Sequence, residues 1–570
     1  MATLAKAAMP EATTDVHRGA DLVWRALEHA GADVAFGYPG GACLPLYDAL
    51  PDHPAVHHVL VRHEQGAAHM ADGYARATGR VGVCVATSGP GATNLMTGLA
   101  CAYMDSVAVV AITGQVSTPL MGRDAFQETD VLGMVGSVTK HSFLVQAVED
   151  IEPTIHRAFA VARAGRPGPV LVDIPKDIQL RTANARSRPE DPGTHGALGA
   201  DPAELDRAAA LLAGAARPVI IAGHGVRLAR AHRELLALAE RLDAPVVTTL
   251  LGIGVISEDH PLAAGMLGMH GSANANRMVN DADVILGVGL RFDDRVTGKI
   301  SAFAPNARII HADIDPTQLG KNVPTAVGIV ADAGAALFGL AARLERTARP
   351  EWRARFERDR PRPRVAEYER RVALPPRLVV RAIREAANED AYFVADVGQH
   401  QMWAAQHLRF TQPDRFLTSG GLGAMGYALP AAIGAQLGRP TSEIWAIAGD
   451  GGAQMTIHEL GTAVQERTPV KLAIMNNGYL GMVRQWQQLF HDGRISQTPI
   501  SSPDYVQLAS AYGVLGLCVE QRADLGPALA RAKAHDGPVV LDIRIEREAN
   551  VWPIVPPGGA NADLIEEPAS

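Results

Sequence analysis

The sequence predicts an α/β protein of three doubly wound parallel-sheet domains, with the first and third as divergent copies of one fold. At 570 residues the chain has room for three or four domains of about 150 residues, each with a deep core. Two stretches interrupt its alternation of short apolar runs and helix-like segments: residues 181–201 are rich in Pro, Gly and charge, and residues 343–371 in Arg, Glu and Pro. Both read as linkers, so residues 1–185, 195–345 and 372–570 are the expected domains. The chain also echoes itself. Thr87-Ser88-Gly89-Pro90-Gly91 and Thr418-Ser419-Gly420-Gly421 each precede an apolar helix-like segment and then a strand, VVAITG in one case and IWAIAGDG in the other. A cleft between the copies is the expected active site, because ligand sites favour domain interfaces.

Composition removes several function classes. The formal net charge is −8, with no basic footprint for nucleic acid. Cys43, Cys84, Cys101 and Cys518 are scattered with no CxxC pair, which argues against a zinc ribbon and for reduced thiols in a cytoplasmic protein. The opening MATLAKAAMPEATTDVHRG lacks a long apolar core and carries acids early, unlike a secretory signal. Apolar runs such as residues 107–112 fall well short of the ~20 residues that span a bilayer, so they read as core and no membrane is expected as a partner.

The third copy carries the sharpest signal. Residues 444–448 form a short apolar run that Gly449-Asp450-Gly451 ends; Met455, Leu460 and Val464 then recur at helical spacing over residues 455–465, and residues 470–475 are a second apolar run. Such a strand-helix-strand crossover makes its strands parallel and, when they are neighbours, sets Asp450 and Asn477 about 5 Å apart at the carboxyl edge. Ligands of open α/β sheets bind at that edge. A carboxylate beside an amide oxygen suits Mg²⁺, which takes one or two protein carboxylates and completes its octahedron with water and phosphate oxygens. A diphosphate is therefore the implied partner. Alone, Gly-Asp-Gly reads first as a tight turn and Asn-Asn-Gly as a loop signal; their pairing on one βαβ unit points to the cation.

The first copy offers an acid. In VHHVLVRHEQGAAHMADGY an apolar strand ends at His63 and Glu64 opens a helix. An acid in a first helical turn can also serve the helix dipole alone, so both roles stay open. A zinc-protease HExxH is excluded, because His63 and His69 fall on nearly opposite helix faces. Residues 421–426 satisfy GxGxxG, yet no convincing ribose-binding acid follows, which argues against a nicotinamide site.

The Asp450/Asn477 pair, with its spacing, resembles the signature of thiamine-diphosphate enzymes. The resemblance implies that Asp450, Asn477 and the main-chain oxygen of Tyr479 hold the Mg²⁺ of the coenzyme diphosphate. Tyr479 departs from the Glu, Gln or His common in that neighbourhood, but position outweighs side chain for a main-chain ligand. Glu64, in an E-x-x-A setting, would hydrogen-bond the pyrimidine nitrogen and promote loss of the thiazolium C2 proton. Val397, Gly398, Gln399, His400, Gly449, Gly451, Gly452, Gly481 and Met482 would belong to the same coenzyme site. Gly423 would line it, Met425 would wedge between its rings, and Gly40 and Gly41 would lie over the thiazolium.

Longer strings narrow the likeness. NNGYLGMVRQWQQLF, DAFQETD, GRPGPVLVDIPKDI, GMLGMHG and RFDDRVTG together resemble the catalytic subunits of the acetohydroxyacid synthase (acetolactate synthase) family. This implies decarboxylation of pyruvate and transfer of the hydroxyethyl unit to a second pyruvate or to 2-ketobutyrate, in branched-chain amino-acid biosynthesis. Arg295 would grip the acceptor carboxylate with its planar donor fork, Trp486 would shape the pocket for the acceptor's extra methyl, and Gln127 and Lys176 would line the substrate channel. For Lys176 a plain exposed charge is an equal reading. The middle domain would be a Rossmann-like FAD-binding domain: Gly289, Arg291, Asp293, Arg295, Val296, Asp313 and Ile314, with Arg166, Met269, His270, Asp332 and Ala333, correspond to the family's FAD-binding segments. The reaction transfers no net electrons, so that flavin is expected to be structural. The C-terminal REANVWPIVPPGGANADLIE resembles the family's closing segment, with Val551, Trp552 and Ile554 available to cap the site. The family places the two halves of a site on different subunits, which implies a homodimer or homotetramer; a small regulatory subunit is a further candidate partner. Two rivals remain. One is a related enzyme such as pyruvate oxidase or glyoxylate carboligase, the latter disfavoured because its site has an apolar residue where Glu64 stands. The other is a non-catalytic homologue, disfavoured by the intact Glu64, Asp450 and Asn477.

Overall fold

The computed structural model describes residues 16–185, 198–359 and 371–568. Short β-branched and alanine-rich runs bounded by glycine form three six-stranded parallel sheets, buried on both faces as crossover helices require. The first sheet comprises β2 (Val34–Gly37), β3 (His57–Leu60), β4 (Gly82–Ala86), β5 (Val109–Gln115), β6 (His141–Leu144) and β7 (Val170–Pro175), in the order β3-β2-β4-β5-β7-β6. The third comprises β15 (Tyr392–Ala395), β16 (Phe416–Thr418), β17 (Ile444–Gly449), β18 (Lys471–Asn476), β19 (Leu515–Val519) and β20 (Val539–Arg544), in the order β16-β15-β17-β18-β20-β19. Strand for strand these are the same topology, which bears out the internal echo.

The central sheet is wound differently. Its strands β9 (Pro218–Ala222), β10 (Val246–Thr248), β11 (Ala263–Met266), β12 (Val284–Val288), β13 (Arg308–Asp313) and β14 (Val327–Val330) lie in the order β11-β10-β9-β12-β13-β14. That is the dinucleotide-binding order, in which winding reverses between the first and fourth strands.

The first and third domains pack through helices Glu64–Thr78 and Ala428–Gly438. A Cβ on Gly73 would stand 2.0 Å from Ala431 O, and one on Gly434 1.9 Å from Met70 O, so the two backbones meet where neither carries a side chain.

The two expected linkers are partly structured. Thr182–Asn184 (β8) pairs antiparallel with Val16–Arg18 (β1). Helix Pro350–Asp359 buries Trp352 and Phe356 in a core cluster with Val219 and Ile285 of the central sheet, and Trp352 Nε1 donates to Pro218 O at 3.0 Å. The central module therefore runs past residue 345. A count of apolar residues misses this helix, because two large rings one turn apart bury as much surface as several small side chains. Residues 186–197 and 360–370 of those stretches lie outside the described residues.

The helix expected over residues 455–465 is also different. A helix begins at Asp450, runs to Thr456, tightens into a 3₁₀ turn at Ile457–Glu459 and resumes as Leu460–Gln465. Of the presumed apolar stripe only Leu460 is buried; Met455 and Val464 are exposed. The apolar period was real in sequence but the break turns its members apart.

Candidate active site

Strands β17 and β18 are parallel neighbours with Gly449 opposite Met475, so Asp450 and Asn477 leave the sheet side by side. The Gly478 N–H donates to Asp450 Oδ2 at 3.0 Å, Ser502 Oγ donates to the same oxygen at 3.2 Å, and the Tyr479 N–H donates to Asn477 Oδ1 at 3.1 Å. The turn thereby aims one carboxylate and one amide at a common recess, lined also by Val397, Gly398, Gln399, His400, Met425, Gly449, Gly451, Gly452, Tyr479, Gly481 and Met482. Burial pushes the Asp450 carboxyl up to about 6, since an ion there has lost water without gaining a counter-charge. Burial also takes the His400 imidazole down to about 3, so it is neutral, and its buried Nε2 has no hydrogen-bond partner. A carboxylate, an amide oxygen and an orphaned ring nitrogen around one recess fit a magnesium diphosphate. Among the described residues no group of three or more His, Cys, Asp or Glu gathers as for a zinc site.

The first-copy residues collect at the carboxyl edge of their own sheet. Glu64 is nearly buried and opens helix Glu64–Thr78, whose first turn is capped by His63 Nδ1 accepting from the Gln65 N–H at 3.1 Å. Asn94 Nδ2 donates to Glu64 Oε2 at 2.9 Å. Thr87 would touch a Cβ on either Gly40 or Gly91, and Glu64 Oε1 would lie 3.3 Å from the latter; the Gln127 backbone packs on Gly89, while Gly41 faces open space. Lys176 starts the short helix after β7 and is half-buried. None of Gly40, Gly41, Glu64, Gln127 or Lys176 lines the Asp450 recess or the larger cavity next to it.

That larger cavity, of about 1280 Å³, exceeds the ~300–1,000 Å³ of an ordinary single-ligand pocket. It lies where the winding of the central sheet reverses: Gly289, after β12, has φ +62° and a Cβ there would stand 2.5 Å from Gly225 Cα, after β9. Arg166, Met269, His270, Gly289, Arg291, Asp293, Arg295, Val296, Asp313, Ile314, Asp332 and Ala333 all line it. Burial pushes the Asp313 carboxyl up to about 6 and the His270 imidazole down to about 4. His224 Nε2 and His270 Nδ1 are buried without partners. The reversal point, the cavity size and these unpartnered ring nitrogens fit a dinucleotide such as FAD. The cavity continues to Val397, Gly398, Gly423, Met425, Met482 and Trp486, so it adjoins the Asp450 recess. Across it the Arg295 guanidinium stands 5.8 Å from the Trp486 ring, with the Arg295 side chain 59% exposed and Trp486 half-buried.

Residues 551–554 line neither cavity, contrary to their expected capping role. The closing segment is shared between two domains: Val551 exchanges two hydrogen bonds with the Gln485 side chain of the third domain, and beyond it the Val555 N–H donates to Met269 O at 2.8 Å, Gly559 O accepts from the Lys299 N–H at 2.8 Å, and Asn561 Nδ2 donates to Val296 O at 3.0 Å. It braces the Met269–Arg295 wall from behind.

Sequence reasoning missed the residues that hold the loops. Buried Asp396 accepts from the N–H groups of Val397, Gly426 and Ala428, and Gln399 Nε2 donates to Gln485 Oε1 at 2.9 Å and Ala549 O at 2.8 Å. Asp396 had a readable signal, an acid directly after an apolar strand, as at Asp450. Asn94 and Gln485 had none.

Two copies of one α/β fold around a dinucleotide-type sheet, with a carboxylate and an amide at a recess in the second copy, define the class. Models of the thiamine pyrophosphate enzyme N-terminal TPP binding domain, central domain and C-terminal TPP binding domain match residues 17–134, 205–340 and 396–543, and the chain belongs to this family. More particularly, it is similar to acetolactate synthase large subunits. It is 46% identical to that of Corynebacterium glutamicum over 584 residues, covering 99% of this chain and 92% of that protein. With the large subunit of Mycobacterium tuberculosis it shares 48% identity over 561 residues, covering 96% of this chain and 91% of that one. With the isozyme 2 large subunit of Escherichia coli it shares 46% over 550 residues, covering 96% and 99%.

Proposed function

We propose that this chain is the catalytic subunit of an acetolactate synthase, a thiamine-diphosphate-dependent transferase. It joins the two-carbon unit of decarboxylated pyruvate to a second pyruvate or to 2-ketobutyrate, giving 2-acetolactate or 2-aceto-2-hydroxybutyrate for valine, leucine and isoleucine synthesis. The observation that carries this reading is the near-full-length likeness to proteins of that name. The cavity in which Arg295 and Trp486 face each other beside Met425 supports the acceptor assignment.

Thiamine diphosphate supplies the electron sink for decarboxylation when bound. The chain's own residues do the rest. Asp450, Asn477 and the main-chain oxygen of Tyr479 hold Mg²⁺ against the diphosphate, while the neutral His400 and the Val397–Gln399 turn bind its oxygens. Glu64 holds and releases a proton at the pyrimidine nitrogen, with Asn94 fixing one carboxylate oxygen so that the other is free for this. Met425 orients the rings. Arg295 binds the acceptor carboxylate, Trp486 accommodates its methyl, and Gln127 and Lys176 line the way in. Arg166, Met269, His270, Gly289, Arg291, Asp293, Val296, Asp313, Ile314, Asp332 and Ala333 cradle a structural FAD.

Glu64 and Asp450 share no cavity within one chain, which supports a homodimer or homotetramer in which each site takes Glu64 from one copy and Asp450 from another. Relatives named large subunits support a smaller regulatory partner, and four free cysteines support a cytoplasmic setting; no described helix is long and apolar enough to cross a membrane. The deciding experiment incubates the purified protein with pyruvate, with and without 2-ketobutyrate, omitting thiamine diphosphate, Mg²⁺ or FAD in turn. Acetolactate that depends on the first two is expected; acetyl phosphate formed with oxygen consumption would replace this reading with an oxidase.

A further inference from the structure

We propose that Glu459 is a positioning residue for Glu64: its carboxylate reaches from the third domain to the first and clamps the turn that presents that acid. The inference rests on the reading of Glu64 given above and deepens it. Glu459 is fully buried. Its Oε1 accepts from the Arg62 and His63 N–H groups at 3.1 Å each, and its Oε2 accepts from the Arg62 N–H at 3.1 Å and from Thr462 Oγ1 at 2.6 Å. Both amides belong to the two residues immediately before Glu64, of which His63 is extended, and their φ and ψ set the entry angle of helix Glu64–Thr78. Charge-assisted bonds to two consecutive amides fix that angle more firmly than neutral ones would.

Two further features fit the clamp. The 3₁₀ turn Ile457–Glu459 interrupts what would otherwise be one continuous helix, and Glu459 stands at the end of that turn, where its side chain crosses the interface. On the receiving side, a Cβ on Gly66 would lie 2.2 Å from Glu459 Oε1, so the first helical turn leaves its space to the carboxylate. The Arg62 guanidinium seals the same seam, donating to Leu60 O, Gly461 O and Gln465 Oε1. A displacement of Glu64 by a fraction of an ångström costs proton transfer more than binding, because such transfer requires hydrogen-bond reach.

The test compares Glu459→Ala, Glu459→Asp and Glu459→Gln. In protein free of coenzyme, amide hydrogen exchange at Arg62 and His63 should speed up about tenfold or more in the Ala and Asp variants. With thiamine diphosphate bound, exchange of its C2 proton should slow by roughly 10²-fold, the low end of a general acid–base contribution. Mg²⁺ and diphosphate affinity should stay within about threefold, since the Asp450 recess is intact. Gln keeps one oxygen for both amides and can donate to Thr462, so it should recover most of both signals; Asp retains charge but falls one methylene short. If Ala does not fold, the Asp and Gln pair carries the same contrast. Gly66→Ala, which crowds the carboxylate out, should reproduce the Asp result. Unchanged amide protection and C2 exchange in the Asp variant would overturn the proposal, as would an equal loss of cofactor affinity. If Glu64→Gln itself leaves C2 exchange intact, the role given to Glu64 fails, while the amide protection result still judges the clamp.

Discussion

The first and third domains have one strand order and different side chains at its carboxyl edge, and they differ loop by loop. After the first strand of each sheet come Gly40 and Gly41 in one copy and Asp396 to His400 in the other. After the second come Glu64 and the Ser419 to Met425 loop, and after the third Thr87 to Pro90 and Gly449 to Gly452. The third copy gathers buried carboxylates, Asp396 and Asp450, each pushed up to about 6, with an amide and a neutral imidazole beside the second. In the three loops compared, the first copy presents one acid, Glu64, with one side-chain amide donor. One topology thus supplies an edge at which side chains converge, and the loops alone decide which groups stand there.

If the division of labour is correct, damage to the two copies should be separable. Asp450→Ala should abolish turnover together with Mg²⁺-dependent coenzyme binding, read by calorimetry; retained binding would break the comparison outright. Glu64→Gln should lower kcat by roughly 10²–10⁴-fold while that same calorimetric signal persists. Trp486→Leu should change the ratio of 2-aceto-2-hydroxybutyrate to acetolactate by about 10–200-fold, the worth of one methyl in an apolar pocket, with total turnover reduced less; chromatography of products from mixed 2-ketoacids measures it. The smallest effect concerns pH. Protons compete with the cation for Asp450, so apparent Mg²⁺ affinity should fall about tenfold per unit below its pKa of about 6 and level off above it. The stability of the cation-free protein should move the other way. The folded pKa lies above the unfolded value of 3.8, so the neutral acid is the form folding favours, and stability declines as pH rises from about 4 through 6. Thermal melts with and without Mg²⁺ across that window test the sign.

Much of the site was legible because its carriers are local. Asp450 and Asn477 end two strands of one βαβ unit, and chain connectivity forces those ends together. The FAD-type segments follow strands β12 and β13 for the same reason. The turn at Ile457–Glu459 was not legible, because the partners of its Glu459 carboxylate, the Arg62 and His63 N–H groups, lie in another domain. Trp352 and Phe356 escaped because an arginine-rich helix looks like a linker until the surface that receives its two rings is known. The closing segment was expected at the site and lies behind its wall, since its contacts with Met269, Val296 and Lys299 are set by surfaces distant in sequence.

From residue order alone come the three-sheet architecture, the repeated fold and the candidates proposed for cation, diphosphate and proton, because periodicity, strand ends and short-range spacing are properties of neighbouring residues. Tertiary packing set Glu64 outside the cavities that Asp450 and its neighbours line within a chain, carried the central module through Pro350–Asp359, and brought Glu459 to the turn before Glu64. Each of these depends on which surfaces meet once the sheets have packed, and packing is a relation between distant segments that no local pattern encodes.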